Sequence, residues 1–312
     1  MRIAIVSDIH ANLAAFEAVL AHAKSVGYDA IVCLGDVVGY GPDPVECIDL
    51  VRAHCEWTLL GNHDFAAVYE PTNFNPVARK AAFWTRDRIF DSTKPESVDA
   101  YLASLAAQHA SGAILPATLA ELEKGAKDPK GRAEFMFRIS PRQILLDRYI
   151  CVHGSPSRPV NEYMFPSDVE QASYRLERNF RMLSLTTPAG EERRANAIVG
   201  HTHSPGFFLE EDQGVIEWLD FPRGVAEWTP SVDEMPPEAR FILNPGSVGQ
   251  PRDGDPRSSY AILTTGENDQ PDRFTFHRVE YDIARTQGKI RGLIAAGAPL
   301  DDWLAARLEL GQ

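Results

Sequence analysis

The residues best suited to chemistry lie in short polar signatures, each directly after an apolar run. Asp8 and His10 stand two apart in IAIVSDIHAN, and His201 and His203 repeat that spacing in AIVGHTHSP. Asp36 sits in the glycine-flanked turn of AIVCLGDVVGYGPDP, Asn62 and His63 follow WTLLG, and His153 follows YICV. If the backbone stays extended after the first strand, period two points Asp8 and His10 the same way. The set offers two carboxylates, one amide and four imidazoles as candidate metal ligands, with His63 beside them. Mixed oxygen and nitrogen donors suit Mn, Fe, Co, Ni or Zn better than Mg or Ca. Opposed by Asp8 and Asp36, two divalent ions keep about two positive charges, enough to hold a hydroxide and an incoming phosphate. Paired metals also lower the pKa of a bridging water and clamp phosphoryl oxygens during in-line attack. Metal-dependent hydrolysis of phosphate esters is the expected chemistry.

The elements that must position these residues are legible in the hydrophobic pattern. In the first third, IAIVS, AIVCLG and EWTLLG read as strands, separated by helices over ANLAAFEAVLAHAKSVG and Pro44 to Ala53. This β-α-β-α-β order implies parallel strands with right-handed crossovers. Ligands of such sheets sit at the carboxyl ends of strands, where each signature falls. Residues 66–141 read as a helical insertion: NPVARKAAFWTRDRIF, VDAYLASLAAQHA and LPATLAELEKGAK, closed by the polar KDPKGR. It is either a cap over the site or a structural excursion beside it. The second half returns to short alternating strands, QILLD through RFTFHRVEYD, which suggest antiparallel pairing. Two sheets packed face to face with helices outside accommodate both halves. The domain is expected over 1–283, with a C-terminal helical segment, 284–312, broken at Gly297–Pro299 and packed on it.

Composition sets the frame. The chain has 312 residues, with 44 acidic against 31 basic ones and a net charge of −13. That balance argues against a nucleic-acid surface, which needs a basic patch, but not against a small phosphorylated substrate, since bound metals make the site itself positive. The four cysteines show no CxxC pairing, no signal region precedes MRIAIVSDIH, and no apolar run approaches a membrane span. A cytoplasmic setting without membrane partners is expected; oligomeric state is not legible. His22, His54, His109 and His277 have no evident partners and are assigned no role.

Taken in order, DxH, GD, GNHD, VHG and GHTH, each after an apolar strand, resemble the calcineurin-like metallophosphoesterases. The resemblance covers roughly residues 1–90 and 140–310. It extends to a bacterial and archaeal branch of phosphodiesterases and diadenosine tetraphosphate hydrolase-like proteins, through DIHAN, GDVVGYGPDP, VHGSP and NPGSVGQPRD. It implies a four-layer α/β/β/α sandwich with two metals, manganese first among the borderline ions. Asp8, His10, Asp36 and His203 would hold one metal; Asp36, Asn62, His153 and His201 would hold the other, with Asp36 bridging. A metal-bridging hydroxide would attack a phosphodiester or nucleotide phosphoanhydride, and His63 would assist the leaving group. Asp64 would orient His63 or cap a helix. Asn12 and Arg252 would contact substrate, Arg252 with a planar fork for a second phosphate or as an ordinary loop arginine. A phosphomonoesterase is the alternative within enzymes, and a non-catalytic metal-binding scaffold is the alternative outside them.

Overall fold

The computed structural model describes residues 1–94, 97–112, 114–186, 190–211, 214–231, 239–267 and 270–312. In chain order the first stretch is β1 (Arg2–Val6), α1 (Leu13–Val26), β2 (Ala30–Cys33), α2 (Pro44–His54), β3 (Trp57–Thr58) and α3 (Asn62–Val68). Helices α4 (Pro76–Asp91), α5 (Val98–Ala110), α6 (Pro116–Ala126) and α7 (Pro129–Arg138) follow. Next come β4 (Arg142–Leu145), β5 (Tyr149–Val152), α8 (Asp168–Gln171), α9 (Ser173–Arg181), β6 (Ser184–Thr186), β7 (Glu192–Arg194), β8 (Asn196–Ile198) and β9 (Gly206–Glu210). The remainder is β10 (Ile216–Asp220), β11 (Glu227–Trp228), β12 (Arg240–Asn244), β13 (Ser258–Thr264), β14 (Arg273–Val279), α10 (Ile283–Ala295) and α11 (Trp303–Leu310).

Among the described residues the strands form two mixed six-stranded sheets, ordered β11-β14-β13-β1-β2-β3 and β10-β9-β12-β8-β5-β4, with β6 and β7 as a separate hairpin. β1, β2 and β3 run parallel, as do β5, β8 and β12. Strand alternation explains the layering. Ile3, Ile5 and Val32 face Cys151, Ile198, Phe207 and Leu243 across the gap between the sheets. Ala4, Val6, Ile31 and Cys33 point the other way onto α1 and α2, through Phe16, Val19, Ile48 and Val51. Ile150, Val152, Ala197 and Ile242 cover the opposite outer face with Leu176 and Phe180 of α9. These apolar layers stack helices, sheet, sheet and helices in the expected sandwich. No helix of the described residues is long and apolar enough to cross a membrane.

Two local readings need correction. The third strand is only Trp57–Thr58: beyond it Leu59 makes a single bridge to Ser140, and Gly61 caps α3. KDPKGR does not close the helical segment. Asp128 accepts the Gly131 N–H and Pro129 fills the first turn, so the same polar residues initiate α7. Trp84 packs with Ile290, Leu304 and Leu308 where α4 meets α10 and α11, while Trp303 is exposed.

The helical segment is fastened to α2 by a buried ion pair. Arg132 of α7 is 1% exposed and donates two bonds to Asp49, of 2.9 and 2.6 Å, with its guanidinium over the Tyr101 ring. Arg132→Leu strands a buried carboxylate, and urea unfolding should show a loss of about 3–5 kcal/mol. The double variant Asp49→Leu/Arg132→Leu should recover much of it. A single variant as stable as wild type would show that the pair does not hold the segment in place.

Candidate metal centre

The carboxyl ends of β1, β2, β5 and β8 converge at one end of the sandwich, and β3 is followed there by the start of α3. Asp8, His10, Asp36, Asn62, His63, His153, His201 and His203 all meet in this place, each no more than 8% exposed. Ligand atoms of Asp8, His10 and His203 lie within 4.8 Å of one another, as do those of Asp36, His153 and His201, and those of His10, Asp36 and His63.

The route to convergence is not an extended strand. Asp8, His10, Asp36, His201 and His203 all adopt positive φ, between 50° and 70°. Left-handed backbone at a non-glycine residue costs about 1–3 kcal/mol and persists only where neighbours over-determine it. Here the turns after β1 and β2 lock together: Asp8 N–H donates to Gly35 O, His10 N–H to Asp36 O and Ala11 N–H to Val37 O. The loop after β12 clamps the other side. Ser247 Oγ and Gly249 N–H both donate to Asp8 O, and Asn244 Nδ2 donates to Gly200 O and Thr202 Oγ1. Gly61 approaches Asp36 so closely that a Cβ there would overlap the carboxylate.

Main-chain carbonyls set the imidazole tautomers. His10 Nδ1 lies 3.3 Å from Val38 O, His153 Nδ1 lies 2.9 Å from Leu34 O, and His203 Nδ1 bonds Gln250 O. A carbonyl can only accept, so each Nδ1 carries a proton, and in a neutral ring Nε2 is left with a lone pair facing inward. His10 Nε2 and His203 Nε2 then face each other at 3.1 Å, with Asp8 Oδ1 3.1 Å from His203. His153 Nε2 faces Asn62 Oδ1 and Asp36 Oδ2, each at 3.3 Å. The second oxygens of the carboxylates are already bonded. Ser7 Oγ and the His201 N–H donate to Asp8 Oδ2, and the His63 N–H donates to Asp36 Oδ1. Asp8 Oδ1 and His201 Nε2 are buried without hydrogen-bond partners. Acceptors aimed at acceptors in a dry site call for cations, and oxygen and imidazole donors in this geometry fit divalent metals.

The electrostatics agree. Burial would raise Asp8 and Asp36, yet the neighbouring histidines hold both well below the ordinary carboxylate range. Burial would lower His153, but Asp36 and Asp8 push it up to about 9. A proton there supplies the positive charge that the carboxylates demand. His10, His201, His203 and His63 are all lowered, chiefly by burial, and His63 falls to about 4.

The remaining expected site residues divide. Asp64 does not bond the His63 ring. Its carboxylate accepts the Gly61 and Val38 N–H groups, so it braces the loops on either side of Asp36, and burial and then Asp36 raise it to about 7. Asn12 is likewise turned to the fold: Oδ1 caps α1 at Ala15 N–H and accepts from Thr286, while Nδ2 donates to Gly249 O. Arg252 does border the site, over the Tyr40 ring and bonded to Gln250 Oε1. Tyr40 and Tyr163 were not singled out from sequence. Tyr40 lies against His10 and His63, and Tyr163 stacks on His201 with ring centroids 3.7 Å apart. With Asn73, Phe74 and Asn161 they line a depression of about 150 Å³ above the histidines. A larger cavity of about 660 Å³ lies elsewhere, between α2, α5 and α10.

The model of the calcineurin-like phosphoesterase family matches residues 1–228. An uncharacterised protein of Methanocaldococcus jannaschii is 32% identical over 99% of this chain and 98% of its own length. A metallophosphoesterase of known structure from Sphaerobacter thermophilus is 34% identical, covers 100% of this chain and 99% of its own, and superimposes with a TM-score of 0.68. A hypothetical protein from Pyrococcus horikoshii shares the fold at 18% identity, covering 100% and 98%, with a TM-score of 0.55.

Asp36 faces both histidine groups, so Asp36→Asn is the sharpest probe of the geometry. Divalent-metal affinity should fall beyond the roughly 10–100-fold that loss of a supporting residue brings, with an unchanged circular dichroism spectrum. Near-wild-type metal affinity would remove Asp36 from the shared position.

Proposed function

The chain belongs to the calcineurin-like phosphoesterase family of metal-dependent hydrolases, and we propose that it cleaves phosphodiester or nucleotide phosphoanhydride bonds at a centre of two divalent ions, manganese by preference. Asp8, His10, Asp36 and His203 would hold one ion, and Asp36, Asn62, His153 and His201 the other. The observation that carries this reading is the inward-facing Nε2 atoms of His10, His153 and His203, each fixed by a main-chain carbonyl on Nδ1. When bound, the metals would polarise phosphoryl oxygens and make water nucleophilic at neutral pH.

The chain's own residues supply the rest. The His63 backbone N–H is tied to Asp36 Oδ1, and its ring sits between Tyr40 and Phe74, at centroid distances of 4.2 and 4.7 Å. Lowered to about 4 by burial, despite Asp36, it stays neutral near pH 7 and serves a leaving oxygen as an N–H donor. Arg252 is close enough for its charge to lower His10, His63 and His203, and it offers N–H groups to phosphate oxygens outside the cluster. Tyr40, Phe74 and Tyr163 narrow the entrance and limit water. The small volume of this depression favours a second reading, a phosphomonoesterase of small substrates.

Manganese-loaded protein should turn over bis(p-nitrophenyl) phosphate or diadenosine tetraphosphate well above p-nitrophenyl phosphate. Preference for the monoester would establish the second reading. His63→Ala should lower kcat by roughly 10²–10⁴-fold with metal content intact. Metal loss in that variant would instead make His63 a ligand, as its place beside His10 and Asp36 permits.

A further inference from the structure

Two guanidinium groups meet around one tyrosine with no aspartate or glutamate beside them among the described residues. Arg252 comes from the loop after β12 and Arg307 from α11, and each guanidinium carbon lies 5.8 Å from the centroid of the Tyr40 ring. Arg252 donates to the neutral Gln250 Oε1, and its buried Nε has no hydrogen-bond partner. Arg307 Nε donates to an oxygen of Gln312, the last residue in the structure, so at most one carboxylate faces the two guanidinium charges. Neither pairs with an aspartate or glutamate among the described residues, although this acidic chain pairs Arg132 with Asp49, Arg240 with Glu210 and Arg278 with Asp253. Burial and the charge of Arg252 push Arg307 down to about 10. Like charges brought together in a partly dry place are unfavourable unless an anion completes them. The arrangement is also held firmly, because Leu304 and Leu308 anchor α11 against Ile290 and Trp84.

The position of the pair names the anion. The Tyr40 ring that both arginines border also lies 4.9 Å from the His10 ring and 4.2 Å from the His63 ring. We propose that Arg252 and Arg307 form an anion subsite beside the histidine cluster that receives the second phosphate of a substrate carrying two linked phosphates. The preferred substrate class is then a phosphoanhydride rather than a simple diester or monoester. This rests on the hydrolase reading above. Hydrolysis joins a water oxygen to the phosphorus at the cluster and breaks that phosphorus's bond to the bridging oxygen. The bridging oxygen leaves with its electron pair on the second phosphate, and a water proton passes to solvent. The new negative charge lies against two planar donor forks, where charge-assisted hydrogen bonds are strongest.

The test compares Arg307→Met with wild type by calorimetric titration of the metal-loaded protein with inorganic pyrophosphate and with inorganic phosphate. Pyrophosphate affinity should fall roughly 10- to 100-fold, the scale of hydrogen bonds to a charged group, and phosphate affinity far less. The loss in kcat/KM should likewise be much greater for diadenosine tetraphosphate than for p-nitrophenyl phosphate. Equal losses on both probes, or none on pyrophosphate, would overturn the subsite. Arg307→Gln replaces the methionine variant if the latter does not fold, with the same expected losses. An Arg307-dependent preference for pyrophosphate supports the subsite even in protein that hydrolyses nothing, so the subsite and the hydrolase reading fail separately.

Discussion

Electron-rich atoms forced to face one another in a dry space are the constraint on which this structure turns. His10 Nε2 and His203 Nε2 point at each other, Asp8 Oδ1 joins them, and His153 Nε2 looks toward an amide oxygen and a carboxylate. No arrangement of protons on neutral imidazoles satisfies them while Nδ1 is held by a carbonyl. A fold does not gather such atoms for its own stability, since Asp8 Oδ1 and His201 Nε2 are left as buried atoms without partners. Their gathering makes sense as a site for positive charge, and the raised pKa of His153 shows how strongly that charge is wanted.

Much of the surrounding structure can be understood as holding this arrangement against its own repulsion. The left-handed residues at Asp8, His10, Asp36, His201 and His203 are individually unfavourable, and they are kept by loops bonded to one another rather than to solvent. The segment from Asn244 to Gln250 has a central part, because it bonds both the Asp8 turn and the Gly200–Thr202 turn and ends by fixing His203. Two sheets are needed for this. One brings Asp8, Asp36, Asn62 and His63, the other brings His153, His201 and His203, and the apolar layer from Ile5 to Leu243 sets their separation. Asp64 and Asn12 belong to the same supporting structure, bracing loops whose strain a ligand residue could not hold alone.

The sandwich and the meeting of the polar signatures were legible because strand alternation and the order of DxH, GD, GNHD, VHG and GHTH are local patterns with long-range consequences. What was not legible depends on backbone geometry. DxH and HxH read as period-two spacing, yet φ at Asp8 and His203 is positive, so the side chains converge by turning rather than by extension. Asn12 and Asp64 have the right chemistry for a site, and only their hydrogen bonds show that both are committed to the chain. KDPKGR has the composition of a loop, and its role as the start of α7 depends on where Pro129 falls. His22 and His277, given no role from sequence, do find a partner in Tyr260, by a 2.8 Å hydrogen bond and a stacked ring. Arg307 lies in a plain amphipathic helix, and nothing near it in sequence points to Tyr40.

The central claim concerns which imidazole nitrogens await a cation, and nitrogen NMR of the histidine side chains reads it directly. In metal-free protein labelled with ¹⁵N, His10 and His203 should appear as Nδ1–H tautomers. Titration with zinc should then shift the Nε2 resonances of His10, His153, His201 and His203 together, complete at two ions per chain, while His63 keeps its neutral signature. Saturation at a single ion, or Nε2–H tautomers at His10 and His203 before metal is added, would contradict the account.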